Sequence, residues 1–146
     1  MCSPKLLSGS GALRSPRDIK HHTLLHTNGT GDWENWLGRV GVDGVDFKRG
    51  AVFNQASMTI DAAVDGQGIA LARTALASWD LISGRLVRPF EQDVEAPFAF
   101  WIVCPKSAAE LPKISTFRSW LLKEAAEDAR RLSELDARPR ARAARR

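Results

Sequence analysis

No apolar run in this chain of 146 residues approaches the ~20 residues that a bilayer-crossing helix requires. Nor does an apolar stretch follow the N-terminus, so a secretory signal is not expected and Met1-Cys2 does not read as a processed lipoprotein start. With only two cysteines, the chain lacks the means for a disulfide framework, and a cytoplasmic protein with reduced thiols is the expectation. Internal repeats of roughly 20 to 50 residues are missing too, which excludes a solenoid. No G-x-S-x-G nucleophile elbow occurs. His22 and His26 fall on the same side of a candidate strand and His21 adjoins them, yet no Cys or carboxylate cluster accompanies them at zinc-site spacing. The reading is therefore no enzyme, no metal and no cofactor.

The 44% hydrophobic content suffices for one core, with the small stability margin of a chain this short. The net charge of +4 hints at nucleic acid, but its distribution does not. Residues 130–146 hold seven arginines against Glu134 and Asp136, whereas the rest has 14 basic and 15 acidic residues. The basicity thus belongs to a tail without aromatic side chains for base stacking or an apolar period for folding. Residues 130–146 read as a disordered, solvated end, with sequence-independent attraction to phosphates as the alternative.

Gly50 to Phe90 is the densest stretch. Gly50 to Phe53 has β character, and Asn54 is of the type that accepts hydrogen bonds from the first amides of a helix. Met58, Ile60, Ala63 and Val64 then recur at roughly helical spacing until Gly66, a stop that tolerates φ > 0. Gly68 lets the chain turn into the buried run Ile69 to Leu71, Arg73 to Leu81 forms a second helix ended by Gly84, and Leu86-Val87 begins another strand. Upstream, Ser3 to Leu7 is a short helix, Ser8 to Arg17 a loop and His22 to His26 a strand. Asp32 caps a helix from Trp33 to Val40, and the shared face of Trp33, Trp36 and Leu37 is read as core, with a ligand-facing Trp33 as the alternative. Downstream, Phe98 to Val103 is aromatic and β-branched enough for a strand, and Pro112 starts an amphipathic helix through Ile114, Phe117, Trp120, Leu121 and Ala125. The alternation predicts an α/β ligand-binding module.

Asp61-Ala62-Ala63 with Gly66, Gly68, Ile69, Ala70 and Leu71, followed by Gly84 to Phe90, resembles the effector-binding domain of LysR-type transcriptional regulators. Within the family it is most similar to the glycine-cleavage-activator subgroup. Cys2-Ser3-Pro4 with Leu6-Leu7, the run Asp18 to His26 leading into Trp33 and Trp36-Leu37, and Phe117 to Leu122 extend the resemblance over about residues 1–125.

The resemblance implies an α/β fold of the type II periplasmic-binding-protein kind, with one nearly complete subdomain plus the C-terminal strand and helix of the other. Residues 1–97 would form the second subdomain, 98–129 the return crossover strand and C-terminal helix of the first, and 130–146 the basic tail. It implies a small-molecule effector, and DNA binding only through a helix-turn-helix that precedes the matched region in the family. Strand ends and helix starts in such sheets converge on a crevice, which places Asn54, Gln55 and Ser57 at a pocket edge, and the resemblance adds Thr27, Phe100 and Trp101. Asn54 and Ser57 suit a purely structural capping role equally well. The resemblance also gives the helix carrying Met58, Asp61, Ala62 and Asp65 a place in a side-by-side dimer, so self-association or pairing with a related regulator is expected. It puts Cys2 and Cys104 on neighbouring crossover strands, where a redox bridge is the alternative to free thiols. A remnant or interaction module pairing with intact regulators, and a periplasmic-type binding protein, are the alternative functions.

Overall fold

The computed structural model describes residues 1–96 and 99–137. They fall into two compact units, one of Met1–Val94 and one beginning at Glu95.

The first unit is built around three parallel strands, β1 (Leu24–Thr27), β2 (Gly50–Phe53) and β3 (Ile69–Ala70), in the order β2-β1-β3. Leu24 to Thr27 pair with Gly50 to Phe53 on one side, and Leu24 and Leu25 pair with Ile69 and Ala70 on the other. β1 is therefore central, and its first three residues are buried, as a parallel strand covered on both faces requires. β2 is largely exposed. Hydrogen bonding continues past β3: Met1 and Ala70 exchange backbone bonds of 2.8 and 2.9 Å, and Cys2 forms an antiparallel bridge with Val87. The strand expected at Leu86-Val87 is reduced to that bridge.

Two glycines make the sheet possible. A Cβ on Gly50, whose φ is +143°, would lie 1.8 Å from the Leu24 carbonyl oxygen, and one on Gly68 would lie 2.4 Å from that of Thr23. Gly68 thus serves close backbone approach at the sheet entry rather than a positive-φ turn.

Two helices connect the strands, α1 (Gly31–Val40) and α2 (Ala56–Val64), and a third, α3 (Thr74–Ile82), follows β3. α1 begins at Gly31, two residues before the expected start at Trp33. Thr30 is its N-cap residue and makes no side-chain capping bond, so Asp32 sits in the first turn rather than capping. The Trp stripe is core: Trp33 is 2% exposed, gives its indole N–H to the Leu25 carbonyl at 3.1 Å, and meets Trp36 edge-on with centroids 5.8 Å apart. Trp36 in turn bonds the Gln92 carbonyl and packs on Phe90. Leu13, Ile19, Leu37 and Ile69 complete this cluster with the buried Cys2, whose thiol is pushed up in pKa by burial. α2 buries Ile60, Ala62 and Ala63, and α3 buries Ala77 and Leu81. Gly66 (φ +82°) and Gly84 (φ +75°) follow these two helices as expected. Two short 3-10 helices, Pro4–Leu7 and Pro16–His21, precede β1, the second held by a capping box between Ser15 and Asp18.

In the second unit, the strand expected over 98–103 is absent from the described residues: Ala99 to Cys104 have no regular structure. Trp101 and Val103 are 83% and 86% exposed. β-type composition forms a strand only where a neighbour supplies hydrogen bonds and a surface to pack on, and among the described residues of this unit none does. Pro97 and Phe98 lie outside the described residues. A 3-10 turn at Lys106–Ala108 leads to α4 (Pro112–Ala137), which starts at the expected proline, with the Leu111 carbonyl accepting from Ile114 and Ser115. Phe117 and Trp120 stack one turn apart, centroids 5.6 Å apart, and both are exposed. α4 runs through residues 130–137, which were expected in a disordered tail. The reason is electrostatic: Glu127 pairs with Arg130 and Arg131, and Arg130 also with Glu134, so the arginines support the helix at i,i+3 and i,i+4 spacing. Residues 138–146 lie outside the described residues.

Candidate functional site

The carboxyl ends of β1 and β2 lie side by side, since Thr27 pairs with Phe53 and the Asn28 amide donates to the Phe53 carbonyl at 2.8 Å. Asn28 takes the left-handed conformation (φ 57°) and Gly29 follows at φ 141°, which turns the chain into α1. At this edge the chain passes from Phe53 through Asn54 and Gln55 into α2, and from Ala70 through Leu71 to Arg73 into α3. Parallel topology thus brings the amino ends of α1, α2 and α3 to one edge of the sheet.

The three ends differ in charge. α1 carries Asp32 and Glu34 in its first turn, which already occupy the positive end of its dipole. α2 and α3 have no acidic residue there and no side-chain cap. Asn54 does not cap α2 as expected. The helix starts at Ala56 with extended Gln55 as its N-cap residue, so Asn54 stands one position too early to reach the first amides. Their N–H groups are left for water or a ligand.

Beside these amides is a pair of hydroxyls. Thr59 is buried on α2, and its Oγ1 lies 2.8 Å from Thr27 Oγ1, 3.3 Å from the Gln55 carbonyl and 3.4 Å from the His26 carbonyl. Either threonine can be the donor in this pair, and in both arrangements Thr27 Oγ1 keeps an acceptor lone pair. Thr27 Oγ1 presents that lone pair at the edge.

Of the expected site residues, Thr27 is half-buried at the end of β1, Asn54 and Gln55 are exposed in the β2–α2 turn, and Ser57 is exposed in the first turn of α2. The structure gathers these four. Phe100 and Trp101 are exposed in the second unit. Met58 and Asp61 on α2 and Asp65 at its C-cap are exposed, but Ala62 is only 4% exposed, packed inside its own unit, and is unavailable to a dimer partner. The alanine faces the core because it follows Thr59 by three positions on the same helical face. Sequence reasoning passed over Asn28 and Thr59. The Asn28-Gly29 dipeptide is a turn signal that marks the first; no sequence signal marks the second.

Of the histidines, His26 is buried in β1 with Nε2 3.5 Å from the Arg49 carbonyl, away from the carboxyl edge. Among the described residues no group of His, Cys, Asp and Glu is placed to hold a metal ion, and no helix is long and apolar enough to cross a membrane. Cys2 and Cys104 are free thiols.

Comparison with known proteins accounts for this architecture. The LysR substrate binding domain family matches residues 1–126. The glycine cleavage system transcriptional activator of Escherichia coli K12 is 40% identical over 128 residues, which cover 88% of this chain and 42% of that protein. The transcriptional activator AmpR of Pseudomonas aeruginosa is 32% identical over 131 residues, covering 89% of this chain and 43% of AmpR. Among solved structures, the effector domain of Pseudomonas aeruginosa AmpR aligns over 88% of this chain and 60% of its own length, with a TM-score of 0.65 and 32% identity. The AmpR effector-binding domain of Citrobacter freundii aligns over 86% of this chain and 62% of its own, with a TM-score of 0.68 and 28% identity. This chain spans about two fifths of the length of these curated relatives. The parallel α/β sheet with its converging helix starts is the periplasmic-binding-protein-like fold of these effector domains, and the chain belongs to the LysR substrate-binding domain family.

Proposed function

We propose that this chain is the effector-sensing part of a LysR-type transcriptional regulator, with Met1–Val94 acting as the family's second effector subdomain. One observation carries the reading: the amino ends of α2 and α3 meet at the carboxyl edge with neither caps nor first-turn carboxylates, next to the acceptor oxygen of Thr27. Such an edge suits a small molecule with an anionic group for the amides and a hydrogen-bond donor for Thr27. Ser57, in the first turn of α2, adds a hydroxyl to the anion end, and Asn54 and Gln55 line the rim. The α2 face of Met58, Asp61 and Asp65 is the proposed association surface. DNA binding belongs to other segments of such a regulator, and no catalytic step is assigned.

Titration calorimetry with small carboxylates, amino acids among them, tests the site. For a ligand that binds, Ser57→Ala and Thr27→Val should each weaken affinity by ~10-fold, equivalent to about 1.4 kcal/mol. Unchanged affinity in both variants would remove the carboxyl edge from the reading. Phe100→Ala and Trp101→Ala in the same titration test the assignment that the family resemblance makes on the second unit.

A further inference from the structure

The segment that leads into β1, at the end of the sheet opposite the carboxyl edge, carries a basic face. Residues 1–31 contain Lys5, Arg14, Arg17 and Lys20 against a single carboxylate, Asp18. That carboxylate is committed to the capping box: its Oδ2 accepts from the Ser15 amide at 2.7 Å, the Arg14 amide at 3.0 Å and the Ser15 hydroxyl at 3.0 Å. Arg14, Arg17 and Lys20 are all exposed, and among the described residues none of them joins an ion pair. Their scaffold is fixed. Leu13 and Ile19, 3% and 0% exposed, anchor the segment in the core on either side of the cap, and the His22 amide closes the 3-10 helix on the Ile19 carbonyl at 2.9 Å. With three residues and about 6 Å per turn, this helix sets Arg17 and Lys20 one above the other on one face. Arg14 stands just before the N-cap residue Ser15.

We propose that Arg14, Arg17 and Lys20 form a docking surface for an acidic segment of a partner protein, bound as an extended peptide with carboxylates at alternate positions. Alternate side chains of an extended chain lie on one side about 6.8 Å apart, which matches the step from Arg17 to Lys20. A guanidinium also holds a carboxylate by two parallel N–H bonds, which gives the contact direction as well as charge. Protein carboxylates fit this face better than nucleic-acid phosphates do. Met1–Val94 as a whole holds ten Lys and Arg against ten Asp and Glu, and a unit without net charge does not draw in a polyanion. A short peptide, by contrast, meets only the face it touches. Residues 14–22 have no Phe, Tyr or Trp to stack on bases either. The inference is independent of the effector reading, since no residue of the carboxyl edge takes part.

The test is fluorescence anisotropy of the full chain with a labelled peptide of alternating Glu and Thr, a block peptide of the same composition, and a labelled DNA duplex. The alternating peptide should bind at low salt, and about three-fold tighter than the block peptide. Replacing Arg14, Arg17 and Lys20 together by Gln should weaken it by about ten-fold while leaving duplex affinity within about two-fold. Arg14→Lys with Arg17→Lys keeps the charge and should keep most of the peptide affinity, and circular dichroism checks that each variant is folded. Replacing the arginines of residues 138–146 by Gln should weaken the peptide less than the triple Gln variant does. No binding of the alternating peptide, equal binding of the block peptide, full affinity in the triple Gln variant, a larger loss from the 138–146 replacement, or equal loss of duplex and peptide would each overturn the proposal.

Discussion

Gly50 is the residue at which this fold is most brittle. Its φ of +143° is closed to L side chains, and a Cβ would occupy the space of the Leu24 carbonyl oxygen that pairs β1 with β2. Gly50→Ala should cost at least ~3 kcal/mol, read as a fall in the urea midpoint, because the clash is with backbone that cannot move aside. Trp33 makes a subtler contribution. Trp33→Phe keeps an aromatic ring against Trp36 but takes the donor away from the Leu25 carbonyl, for an expected loss of about 1–3 kcal/mol in the same measurement. Asp18 adds a pH dependence. Burial raises its pKa, but hydrogen bonds from Ser15 and Arg14, with the charge of His21, outweigh burial and hold the carboxyl below its ordinary 3.8. The unfolded chain binds this proton first, so the stabilisation is complete above pH 3.8 and is lost as pH falls through the lower folded value. The stability gap between the protein and Asp18→Asn should be open at neutral pH and close in that acid range.

At the scale of elements, α4 depends on its ion pairs where its apolar period gives out. Hydrogen bonds from Arg130 and then Arg131 hold Glu127 down to a pKa of about 2. Helix content should therefore stay level as pH drops to 4.5 and fall toward pH 2, a step seen by circular dichroism and missing in Glu127→Gln. These pairs also explain a failure of reading: a run dense in arginine looks disordered by composition, although its carboxylates three and four residues away are legible as helix support. Elsewhere glycine and periodicity carried the information. Gly66 and Gly84 mark the ends of α2 and α3, and the Trp33–Trp36–Leu37 stripe marks the buried face of α1. The start of α2 was legible only to within two residues, because Asn54 and Gln55 both precede it and local propensity favours the wrong one as cap. Ala99 to Val103 show the limit of local cues, since strand composition is a statement about a neighbour as much as about the residues. The Thr27–Thr59 contact joins residues 32 apart, and nothing local foretells it.

Taken whole, the molecule exposes much apolar surface for its size. Phe100, Trp101, Ile102 and Val103, with Phe117, Trp120 and Leu122 on α4, are all exposed in the second unit. Monomeric proteins rarely leave such patches uncovered. The chain should bind a hydrophobic dye and associate as its concentration rises. Replacing Phe117 and Trp120 together by Ser should cut the dye signal at least two-fold; a monodisperse species silent to the dye would count against it. The curated relatives, more than twice as long as this chain, include family members in which further sequence accompanies the matched region.

The uncapped starts of α2 and α3 have a last consequence. Peptide amides neither gain nor lose protons across the working range of a cell, so the pull they exert on an anion is constant from mildly acid to mildly alkaline solution. Any pH dependence of binding at that edge would then belong to the visitor rather than the host, and its midpoint would report the ionisation of the ligand itself.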